Sequence, residues 1–350
     1  MSGKRPLPFE MGGQQVQPGC RADIAIPAAR LYTNTPLDIV ARVVHGKKPG
    51  PQLLVCSAVH GDEINGVEIC RRLLKHPALK HLRGTLIVVP IINLFGFTQK
   101  SRYLPDRRDL NRSFPGSERG TLASRMASRF TSEILSRASH VIDLHTGAIH
   151  RSNLPHIRVN TEDTAAFEMA QAFRCPVILD SKLLDGSLRE TTSNMKIPYI
   201  LFEAGEALRF EDRYITAGIR GILNVMRHLN MIPEKKHRSP PVTAVLATNS
   251  FWVRSTRDGV LSNVVSLGQS VSCGEKLATI VNPLSNDEEA IYSTGNGIVI
   301  GATQIPLVHE GEALFHIASF DKVDVAEASL EAFEEANDYP PLEVEPGLPS

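Results

Sequence analysis

Residues 51–76 read "PQLLVCSAVHGDEINGVEICRRLLKH", an apolar run followed by a turn and a segment with helical spacing. "PQLLVCS" has the length and apolar content of a buried strand, and "INGVEICRRLLKH" repeats apolar residues at helical intervals. A strand that leads through a short turn into a helix is the repeating unit of α/β folds. If the turn falls at Gly61, His60 and Glu63 project from one strand edge, an arrangement that suits a metal ion.

The same alternation of strand and helix extends from about residue 36 to residue 235. The other strand candidates are "LDIVARVV" (37–44), "GTLIVVPII" (84–92), "SHVIDLH" (139–145), "PVILD" (176–180) and "IPYILFEA" (197–204). The other helix candidates are "TLASRMASRFTSEILSRA" (121–138), in which Leu122, Met126, Phe130 and Ile134 share a face, and "EDRYITAGIRGILNVMRHLN" (211–230). Because the strands are continuously apolar rather than alternating, we expect a sheet that is covered on both sides.

A second region begins after "EKKHRSPP" (234–241), where charge and two prolines break the pattern. Residues 252–280 and 290–317 look like diverged copies of one unit of short strands and glycine turns, which resembles the two halves of the biotinyl/lipoyl barrel-sandwich fold. The connection "VNPLSNDEE" (281–289) lacks the lysine that carrier domains modify, so a structural or gating role is favoured over a carrier role. From Asp321 the chain is acidic, and we interpret this tail as a partly disordered, solvated end.

Composition excludes several classes of protein. Lys+Arg and Asp+Glu both number 38, so there is no net positive field to attract nucleic acid or an anionic membrane. The N-terminus lacks an apolar core of signal-peptide length, and no apolar run is long enough to span a bilayer. We therefore expect a soluble cytoplasmic protein. The five cysteines are odd in number, scattered and without C-x-x-C pairing, which predicts buried thiols: Cys20, Cys56, Cys70, Cys175 and Cys273.

Two strand ends carry residues that could bind a metal ion. "SHVIDLHTG" places His145 at the end of an apolar strand, where an open α/β sheet gathers its functional groups. With His60 and Glu63 it makes a set of two histidines and one glutamate, which leaves a fourth position on zinc for water. Asp143 either supports this set or points to the other face of its strand. The alternative for Glu63 is a carboxylate that only complements the dipole of the following helix.

A bound water also requires a base, and Glu203 in "IPYILFEAGE" (197–206) lies at a third strand end. The alternative for this carboxylate is a salt-bridged loop residue, a role that Glu206 could also have.

The arginine-rich loop "KSRYLPDRRDLNRSFPG" (100–116) is either solvated surface or an anion site. As an anion site, Asn111 and Arg112 would anchor a substrate carboxylate, and Arg102 would polarise the scissile carbonyl.

The motifs "HGDE", "RDLNRSFPG", "DLHTG" and "FEAGE", within about residues 50–206, together resemble the succinylglutamate desuccinylase/aspartoacylase family of zinc amide hydrolases. The resemblance implies an α/β fold of the zinc carboxypeptidase type, a mixed sheet flanked by helices and followed by a small all-β barrel-sandwich-like domain. It implies one zinc ion per chain, bound by His60, Glu63 and His145, with Glu203 as general base and acid. Arg102 would stabilise the oxyanion and Asn111 and Arg112 would grip the substrate carboxylate. Arg189 of "GSLRE" (186–190) would also bind substrate, although its distance from Glu203 along the chain matches the family less well.

The expected divisions are an N-terminal segment (1–20), a catalytic domain (21–235), a β domain (241–318) and an acidic tail (319–350). The expected reaction is hydrolysis of the amide bond of an N-acyl amino acid or a similar small molecule with a free carboxylate. Alternatives are a carboxypeptidase-like enzyme that trims acidic residues from a protein tail, and a non-catalytic binding protein. Homo-oligomerisation stays open.

Overall fold

The computed structural model describes residues 6–234, 242–262 and 264–337. Its strands are β1 (Phe9–Met11), β2 (Gln14–Val16), β3 (Arg21–Arg30), β4 (Pro36–His45), β5 (Lys48–Ser57), β6 (Arg83–Val89), β7 (His140–Gly147), β8 (Arg151–Val159), β9 (Val177–Asp180), β10 (Tyr199–Glu206), β11 (Val245–Ala247), β12 (Asn249–Arg254), β13 (Gly259–Ser262), β14 (Ser270–Val271), β15 (Lys276–Val281), β16 (Glu288–Tyr292), β17 (Gly297–Thr303), β18 (Leu307–Val308) and β19 (Ala313–Ser319). Its α-helices are α1 (Asn65–Leu73), α2 (Leu94–Gln99), α3 (Leu122–Glu133), α4 (Thr164–Phe173), α5 (Leu188–Asn194), α6 (Asp212–His228) and α7 (Val323–Asn337). Short 3₁₀ helices cover Pro77–His81, Leu110–Arg112 and Leu135–Arg137.

Thirteen strands form one mixed sheet, whose main path runs β12-β19-β17-β8-β10-β7-β5-β6-β4-β3. The central strands β10, β7, β5 and β6 are parallel to one another, while β8 and β4 flank them in the antiparallel sense. The expected α/β fold with a mixed sheet and flanking helices is confirmed. Because the central strands are parallel, β5, β7 and β10 end at the same edge of the sheet, which is where His60, His145 and Glu203 lie.

The sheet is covered on both faces, as its continuous apolar strands predict. In β5, Leu53 and Val55 belong to the core that the sheet shares with α1, α4 and α6. Leu54 and Cys56 face the opposite core, into which α3 packs Met126 and Phe130. Successive residues of a strand point to opposite faces, so a strand between two layers of helix must be apolar at every position.

Helix and strand positions agree with the sequence patterns apart from a few residues at each end, but several elements carry no clear pattern. The predicted helices at 64–76, 121–138 and 211–230 correspond to α1, α3 and α6. The sequence patterns do not indicate the long strands β3 and β8 or the helices α2, α4 and α5. In β8, polar residues and a proline interrupt "RSNLPHIRV". The segment therefore shows neither a continuous apolar run nor a regular alternation of polar and apolar residues.

The C-terminal part is all-β, as expected, with four strands in each of the two diverged copies. In the part of the chain that is described, β16, β15, β13 and β18 form a separate sheet, whereas β12, β14, β17 and β19 belong to the main sheet. This part joins the rest of the sheet through a parallel pairing of β11 with β9 and an antiparallel pairing of β17 with β8. In the second pairing, Gly301, Ala302 and Thr303 lie opposite Asn153, Ser152 and Arg151. The division between residues 235 and 241 stays a prediction, because the linker falls outside the described ranges.

The interpretation of the acidic tail as a partly disordered, solvated end is wrong for residues 323–337, which form α7 with a buried face. Ala326, Leu330 and Phe333 are buried, and Arg220 of α6 donates hydrogen bonds to the carbonyl of Ala336 and the side chain of Asn337. Helical spacing of three apolar residues therefore outweighs the acidic composition of the segment. The remaining residues, 338–350, lie outside the described ranges.

All five cysteines are free thiols, but only three of them are buried. The prediction of burial is confirmed for Cys56, Cys70 and Cys175 and is wrong for the exposed Cys20 and Cys273, which lie at chain turns. Among the described residues, no helix combines the length and apolar character that a bilayer span requires.

Candidate metal centre and active-site cavity

The turn after β5 places His60 and Glu63 side by side. The strand ends at Ser57, and Ala58 adopts a positive φ of 48°, so the chain leaves the sheet at once. Gly61 then passes so close to α2 that a Cβ atom at this position would lie 1.9 Å from the carbonyl carbon of Gly96. Only glycine fits this approach, which explains why the turn in "HGDE" has glycine at its second position.

His60, Glu63 and His145 form a buried cluster whose ligand atoms all lie within 4.8 Å of one another. The Nδ1 atom of His60 lies 2.6 Å from one Glu63 oxygen, and Nδ1 of His145 lies 2.8 Å from the other. Two imidazole nitrogens and one carboxylate therefore converge, although they come from strand ends more than 80 residues apart. This donor set fits a zinc ion of the type that keeps an open coordination position.

Two further carboxylates lie next to the Nε2 atoms of His60 and His145, on the side of each ring away from Glu63. Asp143 Oδ2 lies 3.0 Å from Nε2 of His145 and accepts a hydrogen bond of 2.8 Å from the Tyr199 hydroxyl. Asp109 Oδ1 lies 3.2 Å from Nε2 of His60. Asp143 thus lies on the same strand face as His145, two residues away, and not on the opposite face. A carboxylate on the far ring nitrogen fixes the orientation of a metal-binding histidine, so these contacts also fit a metal centre.

Electrostatics favour a charged, tightly paired cluster. Burial alone would lower the pKa of His60, but the adjacent Glu63 carboxylate and Asp109 outweigh it and raise that pKa. For His145, burial again opposes the charged form, yet Asp143 and Glu63 raise its pKa well above the usual value. Burial would raise the pKa of Glu63, but the two histidines lower it far below its usual range. The cluster therefore keeps an ionised carboxylate at its centre despite burial.

Glu203 lies next to this cluster because β10 runs parallel to β7 with Glu203 opposite His145. Both of its carboxylate oxygens have neighbours on β8. Asn153 Nδ2 donates a hydrogen bond of 3.0 Å to Oε2, and Nε of Arg158 lies 3.3 Å from Oε1. Neither Asn153 nor Arg158 stood out in the sequence. Glu206, by contrast, points away and accepts a hydrogen bond from the backbone N–H of His150.

Arg102 faces the cluster of His60, Glu63 and His145. One of its guanidinium nitrogens lies 3.2 Å from a Glu63 oxygen and another lies 3.0 Å from Asp109. The carbonyl of Arg102 accepts a hydrogen bond from the side chain of Asn93, which also caps α2. Asp109 links the loop to the cluster, since its carboxylate contacts His60 and Arg102 and accepts a hydrogen bond from the N–H of Asn111.

The remaining predicted substrate-binding residues meet between two loops. The Asn111 side-chain oxygen accepts a hydrogen bond from the N–H of Leu188, so its amide group is held against the start of α5. Arg112 is exposed and donates a hydrogen bond to the carbonyl of Asn111.

Arg189 is 9% exposed. It donates to the carbonyl of Lys182 through one nitrogen, whereas its other terminal nitrogen is buried without a hydrogen-bond partner. Burial lowers the pKa of Arg189, and the charges of Arg158 and Arg112 act in the same direction. The structure thus brings Arg189 into the site despite its unmatched position along the chain.

All eight predicted site residues line one cavity of about 220 Å³, together with Tyr199, Asn153, Arg158 and Trp252. Trp252 belongs to β12 of the C-terminal part, stacks on His316 with ring centres 4.3 Å apart, and has the Arg151 guanidinium 4.8 Å from its ring centre. The C-terminal part therefore forms one wall of the cavity. Nothing in the spacing of the sequence indicated this, because the contact depends on how β12 joins the main sheet.

The chain is similar to known proteins in sequence and in fold. A sequence profile of the succinylglutamate desuccinylase/aspartoacylase catalytic domain matches residues 49–229. The chain is 26% identical over 284 residues to N-alpha-acetyl-L-2,4-diaminobutyric acid deacetylase from Halomonas elongata, covering 77% of this chain and 82% of that protein.

Two solved structures have the same fold. The ectoine utilization protein EutE (DoeB) from Ruegeria pomeroyi, in a product-bound structure, has a TM-score of 0.77 and 22% identity over 90% of this chain and 98% of its own. A succinylglutamate desuccinylase/aspartoacylase from Rhodobacter sphaeroides has a TM-score of 0.74 and 24% identity over 85% of this chain and 96% of its own.

Proposed function

Because the chain belongs to the succinylglutamate desuccinylase/aspartoacylase family, we propose that it is a zinc-dependent hydrolase of the amide bond in a small N-acyl amino acid. The observation that carries this proposal is the placement of Glu203 beside the His60, Glu63 and His145 cluster, at the edge where three parallel strands end. The name of the Halomonas relative, a deacetylase of an N-acetyl amino acid, supports the same class of reaction.

His60, Glu63 and His145 would hold one zinc ion, through the two Nδ1 atoms and the Glu63 carboxylate. When bound, such an ion acts as a Lewis acid that polarises the scissile carbonyl and lowers the pKa of a water molecule towards about 7. Asp143, which is hydrogen-bonded to Nε2 of His145, would keep that ring in the orientation that this requires, and Asp109 lies 3.2 Å from Nε2 of His60.

Glu203 has the proton-transfer role in the proposed mechanism. Its carboxylate accepts a proton from the attacking water and then donates that proton to the nitrogen of the leaving amine, which cannot depart as an anion. Arg102 carries a fixed positive charge beside Glu63, where it would stabilise the negative charge that develops on the carbonyl oxygen. No serine or cysteine nucleophile is needed.

The size of the cavity favours a small substrate over a protein tail. The cavity has a volume of about 220 Å³, and Trp252 of the C-terminal part forms one of its walls. The described lining carries the arginines at 102, 112, 151, 158 and 189, and its carboxylates are Glu63 and Glu203. This balance of charge supports a substrate with a free carboxylate, anchored by Asn111, Arg112 and the unpaired nitrogen of Arg189.

A screen of the zinc-loaded protein tests the proposed function directly. N-acetyl, N-succinyl and N-formyl amino acids, among them N-α-acetyl-2,4-diaminobutyrate, would be incubated beside short acidic peptides, and released amine would be measured. We expect turnover of at least one N-acyl amino acid and none of the peptides. Cleavage of the peptides alone would establish a peptidase, and zinc binding without turnover of either class would point to a non-catalytic protein.

Replacing Arg112 with alanine is expected to make hydrolysis less dependent on the substrate's carboxylate. The planar guanidinium pairs with a carboxylate but gains little from a neutral group. Because Arg112 is partly solvated, we expect kcat/KM for the best N-acyl amino acid to fall by about 10-fold, with a much smaller change for the matching neutral amide. Steady-state kinetics on both compounds measure the difference.

Arg119→Ala is the matched control, since Arg119 is an exposed arginine of the following loop that does not line the cavity. Equal losses on the carboxylate and on its amide would show that Arg112 supports the loop and does not bind the substrate's charge.

A further inference from the structure

We propose that Asn153 is a positioning residue for the Glu203 carboxylate, and that Gly301 in the C-terminal part of the chain sets the orientation of Asn153. The inference rests on the proposed role of Glu203 as the general base. By this route, the C-terminal part would influence the general base through the pairing of β17 with β8, in addition to the cavity wall that Trp252 provides.

A bulge in the main sheet brings Asn153 to Glu203. In the antiparallel pair of β10 and β8, Leu201 lies opposite Arg158 and Glu203 lies opposite His156. Regular pairing would then place Leu154 opposite Gly205, but the register shifts and Asn153 takes that position. Because side chains alternate between faces, the shift turns the Asn153 amide towards Glu203 and leaves Leu154 buried in an apolar cluster.

The carboxylate is thereby held at both oxygens. Asn153 donates a hydrogen bond to Oε2, and the Arg158 guanidinium lies beside Oε1. A carboxylate at a strand end can rotate about its side-chain bonds, and these two neighbours restrict it to one orientation. A general base must be held close to its productive geometry, since a displacement of about 1 Å can cost about 100-fold in rate.

Gly301 determines where the Asn153 side chain can lie. On the other side of β8, Gly301 of β17 is the direct partner of Asn153 in the sheet. A Cβ atom on Gly301 would lie 2.9 Å from Asn153 Oδ1 and 3.2 Å from Cβ of His316, both closer than side chains normally approach. The Asn153 oxygen therefore occupies the space over Gly301, which leaves the NH₂ group to face the carboxylate.

The rival explanation is that Asn153 only contributes hydrogen bonds that stabilise the sheet. Replacing Asn153 with alanine distinguishes this structural role from the positioning role. If Asn153 positions the base, kcat should fall about 10-fold to 100-fold while KM stays within about 3-fold, with unchanged zinc content and thermal midpoint. Asn153→Asp should lower kcat at least as much, because an isosteric carboxylate repels Glu203 and cannot donate a hydrogen bond when it is ionised.

Gly301→Ala tests the second half of the inference without touching the cavity, since Gly301 does not line it. We expect a fall in kcat of about 5-fold to 10-fold, from displacement of the Asn153 amide. In the Asn153→Ala background the same substitution should have no further effect, because the side chain through which it acts is gone. Thr303→Val, two residues along the same strand, is the matched control and should keep wild-type kcat.

The outcomes separate this inference from the proposed function. If the wild type hydrolyses an N-acyl amino acid but Asn153→Ala keeps full kcat, the positioning role is wrong and the function stands. If the effects of Gly301→Ala and Asn153→Ala on kcat multiply, or Gly301→Ala no longer folds, Gly301 serves the sheet rather than Asn153. If the wild type shows no turnover of any N-acyl amino acid, the proposed function itself has failed.

Discussion

Glu203→Gln is expected to abolish almost all turnover while the protein keeps its metal. Glutamine has nearly the same shape as glutamate, and its side-chain oxygen can still accept the hydrogen bond from Asn153. It cannot accept a proton from water, however, so kcat should fall by roughly 10²–10⁴-fold, the range typical for loss of a general base. Steady-state kinetics on the best N-acyl amino acid, together with elemental analysis of the purified variant, measure both quantities.

The matched control is Glu206→Gln, because Glu206 is three residues further along and does not line the cavity, and its carboxylate accepts a hydrogen bond from the backbone N–H of His150. It should keep wild-type turnover. A Glu203→Gln variant that lost its zinc would place Glu203 among the metal ligands, and one that kept full activity would remove it from the mechanism.

Glu63→Ala is expected to reduce both metal content and activity close to zero. The Glu63 carboxylate lies between the two histidines and also contacts Arg102 and the N–H of Thr146. Without it, only the two imidazole rings remain as ligands, and Arg102, now paired with Asp109 alone, keeps a positive charge beside them. Loss of an outer partner of a metal ligand already costs about 10-fold to 100-fold in affinity or activity, so loss of the ligand itself should exceed that. Elemental analysis, which should give about one zinc per chain for the wild type, checks the prediction.

Glu68→Ala serves as the control for this variant, since its carboxylate pairs with Arg71 and Arg72 on the surface of α1. Its zinc content should match the wild type. Full metal content and full activity in Glu63→Ala would mean that the carboxylate after "HGD" serves only the helix dipole.

The sequence predicts well which functional residues lie at strand ends, because a continuous apolar run marks a buried strand and the residue that follows it lies at the edge of the sheet. His60, His145 and Glu203 each follow a continuous apolar run, and parallel strands that end at one edge must bring such residues together. The orientation of Asp143 follows from the same two-residue period once the direction of His145 is known. These inferences need only local pattern and the general geometry of α/β sheets.

The sequence alone does not indicate which residues contact the Glu203 carboxylate. Asn153 depends on a register shift in β8, and no local signal distinguishes the bulged register from the regular one, which would have presented Leu154. Trp252 reaches the cavity because β12 extends the main sheet through β19 and β17, a pairing between distant segments. For α7 the spacing of Ala326, Leu330 and Phe333 indicates a helix, although the acidic composition of the tail favours disorder.

The sheet shared by the two parts of the chain also bears on how the protein unfolds. Strands β17 and β8 are joined by backbone hydrogen bonds, so each of the two parts covers an edge strand of the other. Separation of the parts would leave β8 and β17 with unpaired edges, which are prone to intermolecular pairing. We therefore expect the described parts on either side of this pairing to unfold together, not one after the other.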